Sequence, residues 1–176
     1  MKSYERISII GPSGSGKSTL AVKLGEVLGL PVYHTDCFKL LPNWEKKDVQ
    51  TSFDEHEAVI KTDRWIIDGT YNSTLERRFV RSDLVIFLNL PIELCLESIK
   101  QRNIKNEKRI GLPDYLDTSN EKIDELTAWV RDWHKHNDSD INPLLEKYSD
   151  RVVEIKTRQE VNDFIRKKFC QRLRSG

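Results

Sequence analysis

Residues 11–18 constrain the fold of this chain more than any other segment. Their sequence, Gly-Pro-Ser-Gly-Ser-Gly-Lys-Ser, matches the phosphate-loop pattern G-x-x-x-x-G-K-[ST] at every position. Glycines let a backbone wrap closely around phosphate oxygens, successive N–H groups form an anion nest, and a following helix adds the positive end of its dipole. Because a β-rich run at 6–10 precedes the segment and a helix is predicted over 17–28, the context favours a phosphate-binding loop over a glycine-rich turn with an exposed lysine.

Each residue of this phosphate loop (residues 11–18) is a candidate for contact with a nucleotide. The Lys17 ammonium is expected to reach the β- and γ-phosphates, and the Ser18 hydroxyl is expected to ligate Mg²⁺. With Thr19, which follows directly, the predicted nucleotide-binding residues are Gly11, Pro12, Ser13, Gly14, Ser15, Gly16, Lys17, Ser18 and Thr19.

Segments of strand type and helix type alternate along the rest of the chain. The predicted strands are 6–10, 31–34, 64–68, 83–90 and 151–155. The predicted helices cover 17–28, a segment from 51, 91–102, a long segment from 118 with an apolar stripe of Ile123, Leu126, Val130 and Trp133, and a final segment capped by Thr157 and Glu160. The strand at 83–90 is apolar at each position from 84 to 88, which is typical of a strand buried on both faces. This alternation predicts an α/β fold, a parallel sheet with helices on both faces.

Length and composition exclude several classes of protein. The 176 residues have the length of one domain, and we expect a single domain over 1–176. The 29 basic and 28 acidic residues nearly balance, which excludes global disorder and provides no basic excess for DNA. No run approaches the roughly 18 apolar residues of a membrane-spanning helix. Three widely spaced cysteines without a C-x-x-C pair favour neither a disulfide framework nor a zinc site, so we expect a cytoplasmic protein. We also expect that residues 1–6 are not part of a signal peptide, because a strand-like run follows them directly.

Polar side chains follow two predicted strands at the edge where open α/β sheets bind ligands. Asp68 ends a Trp-Ile-Ile-Asp run, the form of a Walker B aspartate that would hold Mg²⁺ through water or orient an acceptor. A turn aspartate before Gly69 is the alternative interpretation. Asp36 is a candidate base or anchor for an acceptor hydroxyl, with a surface turn as the alternative. We interpret His34 as a structural histidine.

Arginines are the expected source of positive charge for a transferring phosphoryl group, whose negative charge spreads over its equatorial oxygens. Residues 103–117 are polar, basic at the start and contain Gly111 and Pro113, so we predict a short mobile lid between two helices. Arg102 and Arg109 flank the start of this lid. The candidate charge clamps are Arg78, Arg102, Arg109 and Arg131, and a solvated surface arginine is the alternative for each.

Together these segments resemble the adenylate kinase-like branch of P-loop kinases, and within it the DNA topology modulation proteins related to FlaR. The resemblance spans most of the chain and is carried by 10–19, 34–36 and 65–75, with the continuation of the last segment through Arg78 to Pro91. It implies a three-layer αβα fold with a five-stranded parallel sheet in the order 2-3-1-4-5. It also implies ATP as the phosphoryl donor, Mg²⁺ as a cofactor, and a short lid whose arginines cover the phosphates.

The chain departs from true adenylate kinases in two places. No Gly-Asp-Met/Leu-Arg stretch occurs between Cys37 and Lys61, and Asp68 is followed by Gly-Thr-Tyr-Asn where adenylate kinases have Gly-Phe-Pro-Arg. The resemblance therefore does not extend to adenosine monophosphate as the acceptor. Asp36 is similar to the aspartate with which small-metabolite kinases, such as shikimate kinase, meet a substrate hydroxyl.

The sequence predicts an ATP-dependent phosphotransferase that acts on a nucleotide or a small hydroxylated metabolite. The predicted catalytic residues are Lys17, Asp36, Asp68, Arg102 and Arg109, the substrate-binding residues Asp36, Arg78 and Arg131, and the metal ligands Ser18 and Asp68. The expected partners are a nucleotide donor and a small acceptor, in a monomer or weak homodimer. No membrane is expected, and the balanced charge disfavours DNA without excluding it. Two alternatives stay open: a nucleotide-binding regulator linked to DNA topology or gene expression, and an ATPase without an acceptor.

Overall fold

Five parallel strands form the central sheet of the computed structural model, which describes residues 4–41, 45–105 and 120–168. The strands are β1 (Arg6–Ile10), β2 (Val32–His34), β3 (Trp65–Asp68), β4 (Leu84–Leu88) and β5 (Val152–Ile155). Their order is β2-β3-β1-β4-β5, and every neighbouring pair is parallel. The predicted sheet and its strand order are confirmed.

Helices cover both faces of this sheet. They are α1 (Lys17–Leu28), α2 (Thr35–Lys39), α3 (Val49–Lys61), α4 (Asn72–Arg81), α5 (Ile92–Ile104), α6 (Asn120–Arg131), α7 (Trp133–Lys147) and α8 (Arg158–Lys168). Residues of α1, α5, α6 and α8 pack on one face of the sheet, and residues of α3, α4 and α7 pack on the other. Because both faces are covered, β3 and β4 are buried at every position. For β4 this confirms the prediction from its continuous apolar run at 84–88.

Two helix starts test the capping predictions. At α8 the Glu160 N–H donates to Thr157 Oγ1 at 3.1 Å and the Thr157 N–H donates to Glu160 Oε2 at 3.3 Å, which confirms the predicted capping box. The start predicted at Thr51 is wrong. Helix α3 begins at Val49, because the Asp48 carboxylate accepts from the Thr51 N–H at 2.9 Å and so caps the helix earlier.

The long helix predicted from 118 is interrupted at Asp132, so this prediction is wrong in its length. Val130 of α6 is buried in the core on one face of the sheet, whereas Trp133 of α7 packs against Phe87 on the other face, with 6.1 Å between ring centroids. The apolar side chains of one straight helix cannot be buried on both sides of a sheet. The chain therefore changes direction at Asp132. Thr118 lies outside the described residues.

Within the described ranges, none of the helices combines the length and the hydropathy needed to cross a bilayer.

Candidate nucleotide and acceptor site

A cavity of about 540 Å³ opens at the carboxyl ends of the strands. The phosphate loop forms its floor, and the ends of β2 and β3 form one wall together with α2. The lining residues are Gly11, Ser13, Gly14, Gly16, Lys17, Ser18, Thr19, His34, Thr35, Asp36, Lys39, Asp68, Gly69, Thr70, Ser98, Arg102, Leu126, Trp129, Trp133, Asn137 and Arg158. The cavity thus lies where parallel α/β sheets bind ligands.

Three glycines of the phosphate loop have a positive φ, Gly16 at 95° among them, and at the other two a Cβ would also clash with backbone. Gly11 has φ 140° and Gly14 has φ 83°. A Cβ at Gly11 would lie 2.4 Å from the Leu88 carbonyl oxygen, and one at Gly14 would lie 2.2 Å from the Cys95 carbonyl oxygen. The loop is therefore pressed against β4 and α5 with its polar groups at the cavity.

The side chains of the loop also suit an anion. The Ser15 hydroxyl is buried and has no hydrogen-bond partner in the described part of the chain, so it is free to donate. Lys17 Nζ donates to the Pro12 carbonyl at 2.8 Å, which holds the ammonium over the loop. An orphaned donor, a glycine cradle and a cation at a helix N-terminus fit the phosphates of a nucleotide.

Replacing Gly14 with alanine is expected to lower the free energy of unfolding by about 2–5 kcal/mol, the sum of left-handed backbone strain (about 1–2) and overpacking (about 1–3). Gly29→Ala is the matched control, because Gly29 has φ 65° but a Cβ there would meet nothing within 4 Å. The control should cost about 1–2 kcal/mol, from strain alone. Urea unfolding of both variants measures the difference, and equal losses would contradict the close approach to Cys95.

Asp68 contacts both Ser18, the other residue predicted to hold Mg²⁺, and a histidine, His34. It is 2% exposed at the end of β3, and its Oδ2 accepts from Ser18 Oγ at 2.6 Å. Its Oδ1 lies 2.5 Å from His34 Nδ1, at the end of β2. Burial lowers the pKa of His34, but the hydrogen bond with Asp68 and the charges of Asp68 and Asp36 outweigh burial and raise the pKa above its ordinary value.

This pair of oxygen ligands fits Mg²⁺, which proteins usually bind through one or two carboxylates together with waters and substrate phosphates. Within residues 4–41, 45–105 and 120–168, no group of three or more His, Cys, Asp and Glu side chains is arranged to hold a metal ion by itself. The Ser18–Asp68 pair therefore suits an ion that arrives with a nucleotide.

Helix α2 brings a carboxylate and an ammonium to the same wall. Asp36 is exposed, and its carboxylate has no hydrogen bond or ion pair with another described residue. Lys39, one turn further along, lines the cavity with its Nζ 4.7 Å from the centroid of the Tyr71 ring. Lys39 was not among the residues predicted from the sequence.

Arg78 does not line the cavity, in contrast to the contact with substrate predicted for it. It is 0% exposed, and its Nη1 donates to the Gly69 carbonyl at 2.8 Å. Its Nε and Nη2 have no hydrogen-bond partner among the described residues. Burial lowers the pKa of Arg78 to about 10, partly offset by the charge of Asp68, so the guanidinium stays protonated at neutral pH. Arg78 is therefore a buried cation beneath Gly69.

His56 is a buried ring in the same region. It stacks between Phe38, at 4.9 Å, and Tyr71, at 5.9 Å between ring centroids. Burial, with the charges of Arg78 and Lys39, lowers the pKa of His56 to about 3. The ring is thus neutral at physiological pH.

The neutral state of His56 predicts a loss of stability in acid. An unfolded histidine has a pKa of 6.5, so protons bind the unfolded chain first and the stabilisation by His56 falls as the pH drops from 6.5 towards 3. The loss should be about 2 kcal/mol at pH 5. His56→Phe keeps a ring in the stack but has no group that binds a proton there. In urea unfolding, its free energy of unfolding should therefore fall by about 2 kcal/mol less than that of the wild type between pH 7 and pH 5. The same loss in both proteins would contradict this assignment.

The remaining predicted arginines differ in placement. Arg102, on α5, lines the cavity. Arg131, the last residue of α6, is exposed and is not among the lining residues. Arg109 lies outside the described residues, as does most of the predicted lid at 103–117. The structure therefore brings Lys17, Ser18, Asp36, Asp68 and Arg102 to one cavity, and does not bring Arg78 or Arg131 to its surface.

Two further features of the cavity wall were missed by sequence reasoning. Arg158, at the start of α8, lines the cavity beside Arg102, and its Nη2 donates to the Ser98 hydroxyl. Trp129 is 50% exposed at the rim and stacks on His136 with 4.1 Å between ring centroids. Trp129 is not part of the apolar stripe predicted for this helix, so sequence reasoning did not consider it.

Solved structures of kinases share this fold. Shikimate kinase from Acinetobacter baumannii is 18% identical, with a TM-score of 0.55 and coverage of 96% of this chain and 95% of that one. A gluconokinase from Sinorhizobium meliloti is 12% identical, with a TM-score of 0.54 and coverage of 99% and 94%. At these identities the likeness shows the fold, a P-loop kinase fold.

Two comparisons concern the sequence. The peroxisomal ATPase PEX6 of Dictyostelium discoideum is 26% identical over 134 residues; the match covers 72% of this chain, which spans 11% of that protein's length. The family model for deoxynucleoside kinases matches residues 43–171, more than half of the chain. That range begins after the phosphate loop, so the loop and the family match are separate observations. Together they confirm the prediction of a P-loop kinase. The finer resemblance to DNA topology modulation proteins stays a prediction. The chain belongs to the deoxynucleoside kinase family.

Proposed function

We propose that this protein transfers the γ-phosphoryl group of ATP to a hydroxyl of a small acceptor. The observation that carries the proposal is one cavity that brings together the glycine-cradled phosphate loop, the Ser18–Asp68 pair and the Asp36 carboxylate. Among the described residues, that carboxylate has no ion-pair partner. A nucleotide phosphate, a divalent cation and an acceptor hydroxyl would meet there. The ATP-dependent kinase activity follows the family, while the acceptor and the use of Mg²⁺ are our proposals.

The donor is bound on the loop side of the cavity. The loop N–H groups, the Ser15 hydroxyl and Lys17 would hold the phosphates, and Arg102 would add charge from α5. Ser18 and Asp68 would hold Mg²⁺, which neutralises phosphate charge when bound. His34 orients Asp68, because it is in contact with the carboxylate oxygen that Ser18 does not bind. Arg78, Arg109 and Arg131 stay predictions from the sequence.

The acceptor is bound beside α2. Its hydroxyl would give its proton to Asp36 as its oxygen bonds to the γ-phosphorus. The bond from that phosphorus to the bridging oxygen of ADP breaks, and ADP leaves with the electron pair. The products are the phosphorylated acceptor, ADP and one proton. The family match supports deoxynucleosides as one class of acceptor to be tested.

Phosphorus NMR tests this proposal directly. The protein is incubated with ATP·Mg²⁺ and, in separate tubes, with deoxynucleosides, nucleoside monophosphates, polyols and hydroxy acids. We expect a new phosphoester resonance with one class of acceptor and ADP in equal amount. Inorganic phosphate alone in every tube would identify an ATPase and contradict the proposal. A Lys17→Met preparation controls for contaminating kinases.

A further inference from the structure

Each end of the cavity is lined by a different cationic side chain. Helix α2 follows β2, one outer strand of the sheet, and α8 follows β5, the other outer strand. Neighbouring strands are about 4.8 Å apart, so these outer strands are separated by roughly 19 Å. Lys39 on α2 is therefore remote from Arg158 on α8. It faces the acceptor end, and Arg158 lies at the opposite end of the cavity.

The Lys39 ammonium forms no ion pair with a carboxylate in the described part of the chain. Asp36 lies three residues earlier on the same helix, yet the two side chains form no ion pair. Lys39 instead lies over the ring of Tyr71. A cation lining a cavity without a carboxylate partner is available to a ligand.

A second cation lies behind the first. The Tyr71 ring stacks on His56. The charge of the buried Arg78 guanidinium lowers the pKa of His56, and Arg78 in turn interacts electrostatically with Asp68, so Arg78 lies near both. Arg78 has two nitrogens without a hydrogen-bond partner among the described residues, and the neutral His56 offers no negative charge. The wall behind Tyr71 is thus electropositive, which favours an anion in front of it.

We infer that the acceptor carries, besides the hydroxyl that meets Asp36, an anionic group that binds Lys39. Residues three apart on a helix have Cβ atoms about 5–6 Å apart, so Asp36 and Lys39 can hold two groups of one small molecule. A neutral acceptor, an unphosphorylated deoxynucleoside included, would leave the ammonium unpaired as it displaces water from the cavity. The inference therefore favours a phosphorylated or carboxylated acceptor over the deoxynucleosides that the family match alone would suggest. The anion is a carboxylate or a phosphate monoester, which share this chemistry. The inference rests on the proposed function, since it names the acceptor class of the same site.

Calorimetric titration of the protein saturated with a non-hydrolysable ATP analogue and Mg²⁺ tests the inference. The analogue fills the phosphate loop, so that added anions cannot bind there. Two matched pairs of probes are titrated: thymidine 5′-monophosphate against thymidine, and D-gluconate against D-glucitol. We expect the anionic member of at least one pair to bind about tenfold tighter or more, and the pair that discriminates tells a phosphate from a carboxylate.

Variants assign that discrimination to Lys39. Lys39→Met should bring the two members of the pair to within about twofold of each other, and Lys39→Arg should retain the preference. Lys61→Met is the control, because Lys61 is an exposed lysine of α3 beside Glu57 and should leave the preference unchanged. Circular dichroism establishes that the variants are folded.

Two failures are distinguishable. If the analogue binds but the members of each pair bind equally, or neither binds, or Lys39→Met keeps the preference, the anion inference is overturned and the donor site stands. If the analogue itself does not bind, the proposed phosphotransferase activity fails, and the acceptor class inferred from it is overturned too.

Discussion

Replacing Lys17 with methionine is expected to lower the rate of phosphoryl transfer by about 10²–10³-fold and to leave the fold intact. Removal of one preorganised group that stabilises developing charge costs about 2.7–4 kcal/mol of barrier. The Lys17 side chain is half-buried at the cavity and bonds a loop carbonyl at 2.8 Å, so its loss leaves the core unchanged. Methionine keeps most of the length of the side chain without its charge.

Lys23→Met is the matched control, since Lys23 is an exposed lysine of the same helix. Initial rates of ADP formation and urea unfolding are measured for both variants. The control should keep the rate of the wild type. A folded Lys17→Met protein with unchanged rate would show that residues 11–18 do not bind the transferred phosphate.

The phosphate loop could be predicted from the sequence because its structure is local. Eight consecutive residues determine its backbone, and the pattern itself specifies glycine at positions 11 and 16. The need for glycine at position 14 comes from the approach of Cys95, which only the structure shows. The meeting of Ser18 with Asp68 was also predictable, because the carboxyl ends of β1 and β3 lie side by side in a parallel sheet. The roles of these residues in catalysis stay proposals.

Contacts made by α2 could not be predicted in the same way. This helix begins at Thr35, directly after β2, so Asp36 lies in the first turn of a helix and not in the surface turn that was its alternative interpretation. Only the helix places Lys39 one turn after Asp36 on the cavity wall. The partner of His34 likewise depends on the pairing of β2 with β3, where His34 lies opposite Asp68.

The burial of Arg78 had a signal that sequence reasoning missed. Leu75 and Phe79, both fully buried, lie three residues before and one residue after it, and Thr74 lies one turn earlier. Arg78 therefore shares the inward face of α4, although its residue type suggested solvent or phosphate. Helical spacing was the better guide to its position, because the packing of the neighbouring apolar residues fixes the orientation of the whole helix.

Replacing Asp36 with asparagine is expected to lower phosphoryl transfer to the acceptor by about 10²–10⁴-fold, the usual contribution of a positioned general base. Asparagine keeps the volume of the side chain and removes its charge. Binding of ATP should stay close to that of the wild type, because the loop amides, Lys17 and Ser18 belong to other elements of the fold. Background hydrolysis of ATP should fall much less, since water requires no anchor at this carboxylate.

The informative measurement is the ratio of transfer to hydrolysis, obtained from phosphorylated acceptor and inorganic phosphate in one reaction. Asp63→Asn is the control, because the Asp63 side chain is 92% exposed on the surface. A carboxylate that only stabilises the start of α2 would lower both activities together and leave the ratio unchanged. Such a result would remove Asp36 from the reaction, and Asp68 would then be the carboxylate that must both hold the cation and orient the acceptor.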